Sequence, residues 1–414
     1  MQQDNSLTIL GAGIIGICCA LEAVEAGFDV TVIDRSAPGE GASQGIAGII
    51  SPWSVVPQAM PGIWKDVPKW LLDPKGPVKV RWRDMPTLLP WVRSFLGHAT
   101  RREAERISEA MAWLMQDNIN LYRTYLKDTP GEHLVRDSHL ITVFRESQRP
   151  DLKDLASQLR LRSGADLEVV QSGDIQALEP ALSPTYTYAL VVKNQSRTTD
   201  PGRVCKTLAN KAQALGVTFL RHDIARIEPQ GTGGFRLAHP DGAFQATRLL
   251  VTAGAWSHKL LRPLGIRLPL IGERGYHLVF PNPDISVENS IADASAKIVL
   301  SQMDAGIRVA GTAEFADPDA PPNYARARAL LPLAKRMLPD LNTERPAEWM
   351  GVRPSFPDNL PVVDRLGGFE NLFCAFGHSH YGFGMAPQTA RLVRQLLQNV
   401  KPNRDISAVS WQRF

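Results

Sequence analysis

Residues 7–34, LTILGAGIIGICCALEAVEAGFDVTVID, carry the pattern that decides the fold. Residues 7 to 10 read as a buried strand. Gly11-Ala12-Gly13-Ile14-Ile15-Gly16 follows as a turn, then a helix to about Ala26 and a second strand from Asp29 to Ile33. In such a β-α-β unit Gly11 permits the tight turn, Gly13 lets backbone amides reach a pyrophosphate, and Gly16 lets the helix pack closely on the strand. The amino end of the helix then faces the diphosphate. Asp34 closes the second strand 18 residues beyond Gly16, where a carboxylate accepts hydrogen bonds from an adenosine ribose and disfavours a 2′-phosphate. Glycine strings recur by chance, so the ordered sequence of strand, glycines, helix, strand and acid carries the reading. By itself it does not separate FAD from NAD, which share an adenosine diphosphate half.

At 414 residues the chain exceeds the size at which one core keeps growing, which predicts two joined domains. Its 44% apolar and 21% charged residues are those of an ordinary folded protein. A net charge of +4 is too mild to indicate nucleic acid. Cys18, Cys19, Cys205 and Cys374 lie in apolar stretches without metal-ligand spacing and read as buried thiols, so no metal is expected. MQQDNS leads directly into LTIL with no basic-then-apolar leader, which predicts a cytoplasmic protein. Residues 7 to 21 are interrupted by glycines and fall short of the roughly 20 apolar residues a spanning helix needs.

After Asp34 the small-residue loop RSAPGEGASQGIAGIISP, residues 35–52, returns towards the nucleotide. With LLDPKGPVKVRW at 71–82, LLPWVRSFL at 88–96, VTAGAWS at 251–257, GVRPSFPDNLPV at 351–362 and GHSHYGFGMAP at 377–387, the chain resembles the D-amino-acid oxidase superfamily nearly end to end. It is most similar to the bacterial D-amino-acid dehydrogenase branch. The resemblance implies an α/β fold: a Rossmann-like FAD-binding domain of the glutathione-reductase type, interleaved with a substrate domain built on an antiparallel or mixed sheet plus helices. The expected division places 1–60, 195–262 and 350–414 in the FAD domain and 61–194 and 263–349 in the substrate domain. Only one complete dinucleotide fingerprint is visible, which argues against a separate NAD site.

The resemblance assigns FAD to Gly11, Gly13, Ile14, Ile15, Gly16, Asp34, Arg35, Ala42, Ser43, Gly48, Ile49, Ala253, Gly254 and Trp256. It adds Arg353 and the final turn, Gly377, His378, Ser379, His380, Tyr381, Gly382, Phe383 and Gly384. The residues themselves agree in part. Arg248 to Thr252 reads as a strand ending in small residues that let backbone approach a planar ligand, although an ordinary close-packed strand end reads the same way. Leu372 to Phe376 is another strand, followed by a glycine-rich turn and a helix from about Met385 to Asn399 whose start favours negative charge. The sarcosine oxidase branch has a flavin-linking cysteine near Gly351 and a lysine near Gly384. Neither is present, which implies noncovalent FAD.

Four residues are candidates for the substrate. Arg353 matches the guanidinium that grips the substrate carboxylate in relatives, and its planar fork suits that task; the alternative is a structural arginine. Strand alternation places Arg274 and Tyr276 on one face and Glu273 and His277 on the other. If the first pair faces the pocket, both meet an anionic substrate; otherwise Arg274 makes an ion pair such as one with Glu288. His380 matches a position near the flavin and substrate amine, with a backbone-satisfying role as the alternative. Phe383, Gly384, Ile46 and Phe356 depart from the tryptophan, threonine, asparagine and threonine frequent in relatives, which lowers the expected polarity of the pocket.

These features point to a dehydrogenase of a D-amino or cyclic imino acid, D-proline or a hydroxylated D-proline included. An oxidase of glycine or N-methyl amino acids and a flavoprotein subunit or RNA-modification module are the alternatives. Trp53, Trp64, Trp70, Trp82, Trp91 and Trp113 fall within residues 53–113, and residues 61–107 hold ten basic and five acidic side chains. Such a mixture suits a membrane interface, and the resemblance implies a quinone acceptor at the cytoplasmic face of the inner membrane. The competing reading makes these tryptophans core.

Overall fold

The computed structural model describes residues 5–65, 67, 76, 78–81, 84–231 and 233–414. Its first sheet has six strands in the order 362–365, 372–376, 249–251, 6–10, 29–34 and 218–221, parallel except for the 362–365 edge. The central strands are largely apolar because both faces are covered. Leu7, Ile9, Val30, Val32, Leu250 and Phe373 face a core shared with the helices Ile14–Glu25, Pro201–Ala214 and Gly382–Leu397. Leu10, Ile33, Leu249, Val251 and Cys374 face the other way, onto the three-stranded sheet 226–246 and residues 260–270. The alternation is that of a pleated strand. All four cysteines are free and buried in these layers.

Helix Pro201–Ala214 starts where local chemistry dictates. Pro201 occupies the first turn and the Asp200 side chain accepts from the Arg203 amide at 2.9 Å. Helix Gly382–Leu397 begins three residues before the expected Met385, at the cavity described below.

A second, ten-stranded sheet runs in the order 347–355, 271–280, 306–315, 298–303, 290–293, 135–144, 188–198 and 49–50, with 78–80 and 167–171 added at its sides. One face packs on residues 325–341 through Tyr276, Leu278, Phe280, Leu300, Ile307, Leu330 and Met337. The sheet takes Ile49–Ile50 and Ala347–Ser355, of which the expected division assigned 49–50 and 350–355 to the FAD domain. Backbone pairing decides their place: Ile49 lies opposite Arg197, and Arg353 opposite Glu273.

Candidate active site

Between the two sheets lies a cavity of about 1590 Å³. At one end its wall is backbone. Gly11 has φ +116°, and a Cβ there would lie 2.5 Å from the Thr252 carbonyl oxygen; a Cβ on Gly16 would lie 1.9 Å from the Gly11 oxygen. Both glycines serve close packing, and Gly16 does not line the cavity. Gly13 does, and a Cβ there would have only Ser43 Oγ nearby, at 3.4 Å. No side chain caps the helix at Gly13; the Ile14 amide donates to Ser43 Oγ at 3.0 Å. Asp34 is fixed by amides, Oδ2 accepting from Ala12 at 2.7 Å and Oδ1 from Ser36 at 2.8 Å. The Arg35 guanidinium lies 3.8 Å over the Trp256 ring, whose Nε1 donates to Asp319 Oδ1 at 2.6 Å.

At the other end the wall is charged. Glu273 is buried, and its Oε1 lies 3.0 Å from Arg353 Nη1 and 2.6 Å from His380 Nε2, while Oε2 accepts from Ser355 Oγ at 3.1 Å. Burial raises the carboxyl, but His380 and then Arg353 outweigh it and hold the pKa at about 2. Arg353 is a quarter exposed and lines the cavity. Its guanidinium lies flat on Gly275, where a Cβ would be 2.2 Å from Nη2. Thr312, at φ 65° in the bulge opposite Arg274–Tyr276, offers its carbonyl to Arg353 at 3.5 Å. His378 is buried, 3.0 Å from Thr389 Oγ1, and burial lowers it to about 3.

The chemistry of this cavity fits a long anionic cofactor with a planar ring. Two helix starts whose N-cap residues make no side-chain cap, Gly13 and Tyr381, lie at it through Ile14 and Gly382, and their dipoles favour negative charge. Thr312 Oγ1 and Ser379 Oγ, both buried against the cavity, have no hydrogen-bond partner among the described residues.

The family described as FAD dependent oxidoreductase matches residues 6–396. The chain belongs to the FAD dependent oxidoreductase family. It is 35% identical to a D-amino-acid oxidase of Bradyrhizobium diazoefficiens over the full length of both chains. It is also 30% identical to a D-amino acid dehydrogenase of the same organism, over 98% of each. Among solved structures, L-proline dehydrogenase from P. horikoshii superimposes with a TM-score of 0.75 at 16% identity, covering 100% of this chain and 98% of that one. Glycine oxidase from Geobacillus kaustophilus gives 0.70 at 19%, covering 99% and 98%. This FAD dependent oxidoreductase therefore has a glutathione-reductase-type fold, and FAD is its cofactor.

In this FAD dependent oxidoreductase the structure gathers most of the expected residues on one cavity. Gly11, Gly13, Ile14, Ile15, Asp34, Arg35, Ala42, Ser43, Ala253, Gly254, Trp256, Arg353, Gly377, His378, Ser379, His380, Gly382 and Phe383 line it. Several others do not. Gly48 and Ile49 sit against the strand ending at Thr198. Tyr381 turns to the Val56 carbonyl, 2.8 Å away. Gly384 lies against Met115, whose Sδ would be 2.6 Å from a Cβ there.

The larger correction concerns Arg274 and Tyr276, which face the helices and not the cavity. Arg274 lies 3.4 Å from Glu314 and donates to the Pro321 carbonyl at 2.7 Å; Tyr276 donates to Glu314 at 2.6 Å. The strand alternates as expected, but its apolar residues Leu278 and Phe280 choose the face that Tyr276 shares. Glu273 and Gly275 thereby fall on the cavity side. The Arg274 partner is Glu314 and not Glu288. Glu273 was missed as a site residue; the alternation that set it opposite Arg274 was its one signal. Arg308 was missed too: its Nη1 donates to the Gln44 and Ile46 carbonyls and holds the returning loop. Of the four departures from relatives, Ile46 and Phe383 line the cavity, whereas Phe356 and Gly384 do not.

Proposed function

We propose that the protein oxidises a D-amino acid or a cyclic imino acid such as D-proline, removing hydride from the α carbon. Bound FAD supplies the hydride acceptor. Arg353 is the carboxylate anchor, and the observation that carries this reading is the ion-paired guanidinium on the cavity wall, held by Glu273 and bedded on Gly275. An ionised Glu273 is acceptor-only, so His380 Nε2 carries the proton between them and Nδ1 is the atom at which a neutral ring takes a proton. We assign His380 to the side of the substrate amine, which must react without its extra proton; its place on the cavity wall beside Glu273 supports this. Val80, Trp91 and Met350 give the cavity an apolar wall that suits a small hydrocarbon side chain or ring and excludes water. Noncovalent attachment of FAD is supported at Gly351, where a Cβ would lie 2.1 Å from the Trp349 ring, so a tethering cysteine has no room.

We further propose a quinone as acceptor, met at a membrane surface. Leu88, Trp91, Phe95 and Leu96 of helix Met85–Gly97 form an apolar side of the same cavity; Leu89, 61% exposed, also lines it, and Trp64, 60% exposed, follows the lining residue Ile63. Trp91 itself is core, Trp53 and Trp113 are partly buried, and Trp70 and Trp82 lie outside the described residues. The interfacial reading thus rests on Trp64, Leu89 and the local basic excess. Among the described residues no helix is long and apolar enough to cross a membrane. The 35% identical relative named as an oxidase favours oxygen as a second reading.

Arg353→Ala tests the central claim: the apparent KM for D-amino acids rises by about a hundredfold or more while FAD stays bound. Unchanged kinetics would remove Arg353 from the carboxylate role. Hydrogen peroxide release in air, set against reduction of a short-chain quinone under argon, separates the two acceptors. Flotation with anionic liposomes at low salt tests the membrane contact, and no binding would sink it.

A further inference from the structure

The strand pair Val135–Phe144 and Tyr188–Thr198 is broken by a bulge. Ser138 lies opposite Gln195 and Leu140 opposite Val192, so His139 meets two residues, Lys193 and Asn194. Asn194 takes φ 54°, a left-handed conformation that few residues other than glycine adopt. A bulge re-aims side chains, and this one turns His139 and Gln195 to a second cavity of about 570 Å³. Trp53, Asp117, Asn118 and Arg123 belong to the same wall, and Asp117 is also left-handed, at φ 58°.

Among the described residues, four buried polar atoms of this wall have no hydrogen-bond partner: Trp53 Nε1, Asn118 Oδ1, His139 Nδ1 and Gln195 Oε1. Asn118 and Gln195 are 0% and 2% exposed. Buried polar groups are normally satisfied, so several of them around one cavity point to a polar occupant. The orientation of both amides is fixed. Asn118 Nδ2 donates to the Ser51 and Gly384 carbonyls at 3.2 Å each, and Gln195 Nε2 to the Val192 carbonyl at 2.8 Å. Their oxygens are therefore the free ends. Asp117 and Asp137 add carboxylates, and Arg123 is already bound to Asp137 at 2.6 Å.

We propose that this cavity is a second small-molecule site, which takes a small protonated amine. An ammonium group offers three donors and no acceptor, the complement of the Asn118 and Gln195 amide oxygens and of the nearby Asp117 and Asp137 carboxylates; the Trp53 Nε1 donor lies outside this match. The space is many times that of one water, about 30 Å³, and far too large for a bare metal ion. The site is coupled to the active turn. Asn118 holds the Gly384 carbonyl and Tyr122 the Phe383 carbonyl, at 2.6 Å, in the first turn of the helix that starts beside His380. An occupant of this cavity touches the residue that positions that turn.

The test is calorimetric titration of the FAD-loaded protein with three probes of one size, n-butylammonium, n-butanol and butyrate. One butylammonium binds per chain, at least about tenfold more tightly than the other two. Gln195→Met, which keeps the length and removes the acceptor, weakens it about tenfold. Glu273→Gln leaves it unchanged, which separates this site from the main cavity. No saturable binding, equal binding of all three probes, or binding lost in Glu273→Gln and kept in Gln195→Met overturns the proposal. If Gln195→Met does not fold, Asp117→Asn takes its place, and unchanged affinity there overturns it equally.

Discussion

Around Gly13 the large cavity is walled by residues of one continuous stretch, 10–15, backbone foremost, whereas around Arg353 it is walled by charges from residues 273, 353 and 380. The first end recognises by absence of side chain. Helix amides and space do the work, and Asp34 is held rigid by two amides before any ligand arrives. The second end recognises by charge, and each charge is kept in place by another. One carboxylate, Glu273, orients both Arg353 and His380 from beneath. The two ends should therefore fail differently, the first through sterics and the second through electrostatics.

The largest expected effect lies at the backbone end. Gly16→Val drives a side chain into the Gly11 oxygen, where backbone cannot yield. Overpacking of this kind costs about 1 to 3 kcal/mol, occasionally more, and the Gly11 turn that must give way lines the nucleotide end, so we expect FAD affinity to fall by up to about a hundredfold. The measurement is flavin absorbance relative to protein after gel filtration. A yellow variant with full flavin would break the steric account of that end.

Glu273→Gln should do the reverse, keeping FAD and losing turnover. Removing one partner of a buried ion pair costs about 3 to 5 kcal/mol, and here Arg353 loses its counter-charge and His380 its carboxylate acceptor together. We expect kcat/KM on D-amino acids to fall about a hundredfold, with flavin content unchanged. Loss of flavin without a kinetic defect in the remaining holoenzyme would erase the distinction between the ends.

The difference also explains what the sequence made legible. The backbone end could be read because its parts are consecutive: a turn needing φ above zero, a close helix contact and a terminal acid all fall between Gly11 and Asp34. The charged end joins residues 80 and 107 positions apart through one carboxylate. Their meeting depends on the antiparallel register of 271–280 against 347–355, with Glu273 opposite Arg353. Period-two alternation divides such a strand into two faces but does not say which face is inside. That choice fell to Leu278 and Phe280, which pack on the helices and carry Tyr276 with them. Arg353 was legible through the motif around it, Glu273 was not, and Gly275 acquires its meaning only when a guanidinium lies against it.

A third effect separates the ends by pH. His277 and His378 are each held at about 3, His277 by burial and then the Arg308 charge, His378 by burial alone. Both remain neutral in the folded protein as pH falls below 6.5, while the unfolded chain takes up protons. Stability is thus fully present above about pH 6.5 and declines as pH falls towards 3, by up to about 1.4 kcal/mol per pH unit for each histidine. The lowered Glu273 carboxyl adds a loss of the same sign, confined to pH below its ordinary value of 4.5. Thermal unfolding of the holoenzyme between pH 7 and 5 measures the histidine part. His378→Gln should flatten that slope, and an unchanged slope would move the titrating group elsewhere.

The smallest effect tests whether side chains matter at the backbone end at all. Arg35 follows Asp34 directly and lies over the Trp256 ring, and both line the cavity. Such a contact is worth about 0.5 to 1 kcal/mol at a partly exposed site, so Arg35→Ala should weaken FAD about two- to fivefold. The loss stays small because Trp256 is held independently. Its Nε1 donates to Asp319 at 2.6 Å, and Lys259 pairs with the same carboxylate. Titration of apoprotein with FAD, followed by quenching of flavin fluorescence, gives the affinity, and steady-state kinetics at saturating FAD should show kcat unchanged. A loss beyond about tenfold, which exceeds what one exposed cation–π contact supplies, would mean that side-chain charge also governs the nucleotide end. A fall in kcat would mean that the arginine reaches the chemistry through the cofactor, and the division between a backbone end and a charged end would no longer describe how this cavity works.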